Sequence, residues 1–197
     1  MTLAQPRRAR RHVGLNWGLY AQIDASRQWQ GQLLDALGLG PVKTPSRVVL
    51  QTSALTLKAY DAPDRSRPAL LVVPAPIKRS YIWDLLPRAS VIQRCREHGL
   101  PVYLAHWERP GEVERDYGLA EYADSLIVNC MDAIRKETGH EHIFIAGHSL
   151  GGTLAAIFAA LHPRMLQGLV LLGAPLHFAL DASAFARILA VLMRSPH

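Results

Sequence analysis

The stretch Ile143-Phe144-Ile145-Ala146-Gly147-His148-Ser149-Leu150-Gly151-Gly152-Thr153 decides how the rest of the chain is read. Ile143 to Ala146 is a short continuous apolar run, the pattern of a buried strand, and the Ala-rich run from Thr153 to Leu161 predicts a helix that ends near Pro163. Between them, Gly147-His148-Ser149-Leu150-Gly151 fits G-x-S-x-G, the pentapeptide that turns a strand into a helix over a strained serine. Gly147 and Gly151 leave room where a Cβ would collide with the neighbouring strand and helix, and Gly152 extends that clearance. Such a turn lifts Oγ of Ser149 clear of the sheet. It also aims the N–H groups and dipole at the start of the next helix toward a developing oxyanion.

Upstream of this turn, the chain reads as alternating strands and helices. Val48 to Gln51 and Leu55 to Tyr60 form an antiparallel opening hairpin, and Ala69 to Val73 is an apolar run stopped by Pro74, as a fully buried parallel strand is. A helix from about Ser90 to His98 ends at Gly99, and Val102 to Ala105 makes the next strand. Gly118 to Thr138 places Leu119, Tyr122, Leu126, Cys130 and Ile134 on one face of a long helix stopped by Gly139. Downstream come a strand at Leu169 to Leu172 and a helix over about Ser183 to Met193. This βαβ alternation predicts an α/β fold with a mostly parallel sheet flanked by helices, an α/β-hydrolase core lacking its last strands. The core spans 45–197. Residues 1–44 read as an appendage with one helix, Ser26 to Leu37, that sets Trp29, Leu33, Leu34 and Leu37 on one face.

Composition narrows the class further. With 49% hydrophobic residues in 197, the chain can bury one sizeable core, and no run approaches the roughly 20 apolar residues of a membrane-spanning helix. The net charge of +6 leans on Arg7, Arg8, Arg10 and Arg11, read as a solvated arm, and no later basic stripe with interleaved aromatics suggests nucleic acid. Val13 to Tyr20 is broken by Gly14, Asn16 and Gly18, which argues against a secretory signal. Cys95 and Cys130 fall in predicted helices with apolar neighbours, so a reducing cytoplasm is the expected setting. Nothing suggests a metal, a nucleotide fold or a bound organic cofactor.

In a hydrolase of this architecture one oxyanion donor is the N–H of the residue after the nucleophile, here Leu150, and the second comes from the loop after the Ala69 to Val73 strand. Pro74 and Pro76 have no N–H, which leaves Ala75 and Ile77, with Ile77 preferred. His148 lies beside Ser149, but consecutive side chains diverge on a tight turn, so it reads as packing or pocket lining. His106 and His177 lie on the active-site side of the sheet, and His162 caps a helix. Asp181, in the loop after the Leu169 strand, is a candidate acid, although an Asp before Ser183 is also a ready helix N-cap. The 48 residues after Ser149 hold one more strand and a helix, so the segment carrying the general base is expected outside this chain or on a partner. The same count leaves Leu169 to Leu172 as an apolar sheet edge, suited to self-association or a protein partner.

Several motifs beyond the turn resemble the polyhydroxyalkanoate synthase family, particularly the short form that works with an accessory subunit. They are Thr44-Pro45-Ser46-Arg47-Val48-Val49, Leu71-Val72-Val73-Pro74, Tyr81-Ile82-Trp83-Asp84-Leu85 with Pro87, Val102-Tyr103-Leu104 with Trp107, and Gly151-Gly152-Thr153-Leu154, all between about Thr44 and Phe178. The resemblance implies an α/β-hydrolase core that polymerises hydroxyacyl-CoA thioesters through a cysteine activated by a downstream histidine and aspartate. Ser149 stands where that family has its cysteine. A thiolate is both nucleophile and leaving group in thioester exchange, whereas serine needs a general base at every step and points toward hydrolysis. Three readings follow: a serine acyl-transfer enzyme on hydroxyacyl esters or thioesters such as acyl-CoA, an esterase or lipase-like hydrolase, and a truncated inactive homologue acting as a granule-associated binding protein.

Overall fold

The structure, a computed structural model, describes residues 26, 29–34, 36–37, 44–63, 66–77 and 80–177. The chain divides into two units, Met1–Pro41 and Val42–His197. In the first, residues 26, 29–34 and 36 are helical, and Trp29, Leu33, Leu34 and Leu37 are exposed.

The second unit is built on a six-stranded sheet. Its strands are β1 (Arg47–Gln51), β2 (Leu55–Tyr60), β3 (Leu70–Val73), β4 (Val102–Trp107), β5 (Ile143–His148) and β6 (Leu166–Leu172), in the order β1-β2-β4-β3-β5-β6. β1 to β2 and β2 to β4 are antiparallel, while β4, β3, β5 and β6 run parallel. Helices α1 (Val91–Glu97), α2 (Leu126–Thr138) and α3 (Leu150–Leu161) connect them. No helix among the described residues is long and apolar enough to cross a membrane.

Period-two alternation sorts the strand residues onto two faces. Leu57, Leu71, Tyr103 and Ile145 pack with Ile127, Met131 and Ile134 of α2 and Leu154 and Phe158 of α3. Tyr60, Val72, Leu104 and Ala146 face the other way, against Trp83 and Ile92. β3, Leu-Leu-Val-Val, is buried along its whole length because both of its faces are covered. Phe158 has no exposed surface, a burial that contributes roughly 3 kcal/mol.

Each helix has a readable stop or start. Ser90 caps α1, its hydroxyl accepting from the Gln93 N–H at 3.0 Å. Gly99 and Gly139 both take φ of 75°, the left-handed conformation that ends α1 and α2 without a Cβ penalty. One expectation from helical periodicity fails. Leu119 is 63% exposed, off the face that buries Leu126, Cys130 and Ile134. The cause is a π-helical turn at Glu121–Ser125, which adds a residue to the turn and rotates everything before it away from the core face.

Side-chain ties hold the antiparallel half. Arg47 on β1 donates to Asp61 at 3.1 and 3.2 Å and to Glu137 on α2, and the Tyr103 hydroxyl donates to Glu137 at 2.8 Å. The Arg47 hydrogen bond holds the Glu137 carboxyl below the usual carboxylate range. Asp84, 3% exposed, accepts from Thr44 N–H (2.7 Å), the Thr44 hydroxyl (2.8 Å) and the Ser90 hydroxyl (2.6 Å). Cys95 and Cys130 are free thiols, and burial pushes Cys130 up to about 12.

Candidate active site

β5 ends at His148 and α3 begins at Leu150, so a single residue makes the turn between them. That residue, Ser149, has φ 56° and ψ −130° and is the one non-glycine residue with positive φ among the described residues. A side chain held there costs on the order of 1–3 kcal/mol, and the surroundings over-determine the conformation. The Ser149 N–H donates to Leu172 O on β6 at 3.0 Å, while its carbonyl accepts from Gly152 N–H (2.9 Å) and Thr153 N–H (3.2 Å).

Three glycines surround it, each where a Cβ has no space. A Cβ on Gly147 would lie 2.5 Å from both Gly151 O and Gly152 Cα, and one on Gly151 would lie 2.2 Å from Val73 O and 2.5 Å from Pro74 C. One on Gly152 would meet Ala174 Cβ at 2.5 Å. The first turn of α3 therefore presses against the end of β3 on one side and the loop after β6 on the other. The Thr153 hydroxyl, donating to Pro175 O at 2.8 Å, ties down that second loop.

Leu150 is the first residue of α3, where backbone N–H groups have no intrahelical acceptor. Ile77 lies in the turn after β3 and is 80% exposed, and Ala75 in the same loop is fully buried. His148 is partly buried, and its Nδ1 is enclosed without a hydrogen-bond partner among the described residues. No described residue hydrogen-bonds to Oγ of Ser149. Asp181 lies outside the described residues, and His177 is exposed at their end. His162 closes α3 and bonds Asp124 at 2.7 Å through Nε2.

Two contacts of residues already named escaped sequence reasoning. His106, at the end of β4, is hydrogen-bonded through Nδ1 to Ser80 Oγ at 2.7 Å. Both line a pocket of about 150 Å³ with Lys58, Tyr60, Asp84 and Leu104, on the sheet face away from α2 and α3; Ser149 is not part of its wall. The second is the indole of Trp107, whose Nε1–H donates to Pro74 O at 2.8 Å. Its partner lies 33 residues away, so no local pattern signals the contact.

A strained serine between a parallel strand and a helix, with glycines where backbones touch, defines a class. The chain belongs to the α/β-hydrolase-fold family: residues 83–191 match that family, described as alpha/beta hydrolase fold. Solved structures agree in fold. The thioesterase domain from the curacin biosynthetic pathway is similar with a TM-score of 0.53 at 17% identity, over 75% of this chain and 50% of that one. Epoxide hydrolase A from Mycobacterium thermoresistibile is similar with a TM-score of 0.53 at 17% identity, over 75% and 44%.

Within the fold, sequence similarity is to polyhydroxyalkanoate polymerases. The poly(3-hydroxyalkanoate) polymerase subunit PhaC of Haloarcula marismortui is 35% identical over 156 residues, 75% of this chain and 32% of that protein. Those of Haloferax mediterranei (36%, covering 69% and 28%) and Allochromatium vinosum (30%, covering 79% and 46%) are also similar. The chain thus spans less than half the length of these curated relatives.

Proposed function

We propose that Ser149 is the nucleophile of an acyl-transfer reaction on hydroxyacyl esters or thioesters, in a PhaC-like α/β-hydrolase. The observation that carries this reading is the backbone of Ser149 itself, φ 56° at a strand-to-helix turn, a cost the fold bears at no other described non-glycine residue. Similarity to poly(3-hydroxyalkanoate) polymerase subunits supports the hydroxyacyl substrate class.

In the reaction, Oγ bonds to the acyl carbonyl carbon while a general base takes its proton, and the carbonyl π pair moves onto oxygen. The N–H of Leu150 and an N–H from the loop after β3, assigned to Ile77, hold that oxyanion. Collapse expels the alkoxide or thiolate and leaves an acyl-serine. Attack by water releases the acid, whereas attack by the hydroxyl of another hydroxyacyl unit extends a chain. The base comes from beyond the described residues, where Asp181 is the assigned acid.

Ester hydrolysis is the second reading, favoured by Ser149 in place of a thiol because serine is the poorer partner for repeated thioester exchange. We assign the exposed Leu169, Val170 and Leu172 of β6 as the surface for a protein partner or a second copy, and a reducing cytoplasm as the setting.

A fluorophosphonate probe tests the nucleophile. Labelling of the native chain that disappears in Ser149→Ala is the expected result. Labelling that survives the substitution, or a folded native protein that stays unlabelled, overturns the assignment.

A further inference from the structure

The loop after β3 leaves the sheet early. β3 has its last partner on β4 at Val72↔Leu104 and its last on β5 at Val73↔Gly147, so the Pro74–Ala75 peptide lies beyond both ladders. It nevertheless has one possible orientation, because its carbonyl is held from two directions. Gly151 packs against it on the α3 side, where even a Cβ would stand 2.6 Å from Pro74 O. On the other side, Trp107 Nε1–H donates to the same oxygen at 2.8 Å.

The indole is itself fixed. Trp107 pairs with Leu55 across the β2–β4 ladder, which anchors its backbone. Its ring meets Tyr122 edge-on, with centroids 5.5 Å apart and planes at 65°, and Tyr122 meets Tyr117 in the same way at 6.3 Å. Trp107 is thus a rigid arm reaching from β4 over the end of β3.

In a trans peptide the N–H points opposite to the C=O, and no cis bond occurs among the described residues. Fixing Pro74 O therefore fixes the direction of the Ala75 N–H and the starting point of the short run through Pro76, whose ring restrains φ, to Ile77. We propose that Trp107 is the positioning residue of the oxyanion loop: its N–H sets the Pro74–Ala75 peptide plane, and through it the amide that faces the acyl oxygen during attack by Ser149. This rests on Ser149 being the nucleophile.

Two replacements isolate the N–H from the ring. Trp107→Phe keeps an aromatic edge for Tyr122, and benzothienylalanine at position 107 keeps the full bicyclic shape with sulfur in place of N–H. The losable hydrogen bond is worth about a factor of ten in rate. The expected result is a roughly tenfold fall in the first-order rate of fluorophosphonate labelling in both proteins, with unchanged half-saturation by the probe and faster amide exchange confined to Ala75 and Ile77. Native labelling rates in the benzothienylalanine protein, or a change in half-saturation alone, overturn the proposal. If the native protein is not labelled at all, the serine assignment fails separately, and amide exchange decides: unaltered exchange at Ala75 and Ile77 overturns the positioning role, and selective acceleration there supports it.

Discussion

The two halves of the sheet are held together by different means. Around the antiparallel half, side chains make the ties: Arg47 of β1 to Asp61 just after β2 and to Glu137 of α2, Tyr103 of β4 to the same Glu137, and Asp84 to Thr44 before β1 and Ser90 at the start of α1. In the parallel half, β3, β5 and β6 close on the Ser149 turn chiefly by close approach, with Gly147 and Gly151 against main-chain atoms and Gly152 against the Ala174 Cβ, all too close for an added Cβ. Side-chain ties respond to pH and to conservative replacement by degrees. Backbone contacts admit no intermediate setting.

Gly151→Ala tests this contrast most severely. Its Cβ would stand 2.2 Å from Val73 O, so the helix and strand must part. The expected loss is about 4 kcal/mol, read as a collapse of the thermal melting temperature or failure to fold; a loss below about 1 kcal/mol would mean that the backbone-held half is as adjustable as the other. Asp84→Ala, the strongest cut on the side-chain side, leaves three donors without their acceptor, and urea unfolding is expected to give a loss of about 3 kcal/mol in a protein that still folds.

Ser149→Gly reverses the sign. Relief of strain at φ 56° exceeds the entropy cost of glycine, so this variant is expected to be about 1 kcal/mol more stable than Ser149→Ala, which keeps the strain; both lose probe labelling. Equal melting temperatures for the two would remove the argument from strain.

Glu137→Gln has the smallest effect, and it depends on pH. The folded state holds the Glu137 carboxyl below its unfolded value, so its contribution is present above the unfolded carboxylate pKa and lost as pH falls through the folded one. Native protein is expected to lose about 1 kcal/mol more than Glu137→Gln on acidification from pH 6 to pH 3, discounted for the partly exposed Arg47. Parallel stability curves for the two proteins would show that this tie contributes nothing.

The same contrast explains what could be read without coordinates. The turn from β5 into α3 is a local matter of glycine spacing beside an apolar run, and the opening hairpin and βαβ alternation follow from hydrophobic periods, so the fold class was legible. Bonds spanning many residues were not. Thr44 and Asp84 are 40 apart, Ser80 and His106 are 26 apart, and Trp107 is 33 from Pro74; each is set by which strands become neighbours, not by local pattern. Leu119 failed for another reason. A π-turn at Glu121–Ser125 has no composition of its own, so a 3.6-residue period carried through it misplaces everything upstream.

The dihedral angles of Ser149 constrain the backbone and Cβ but say nothing about the atom beyond. An oxygen or a sulfur at that tip would meet the same N–H groups and stand over the same glycines. The backbone frame is thus indifferent to which of the two atoms the residue carries. What the fold fixes at this turn is a position in space, and the chemistry of the side chain placed there is left to a single atom.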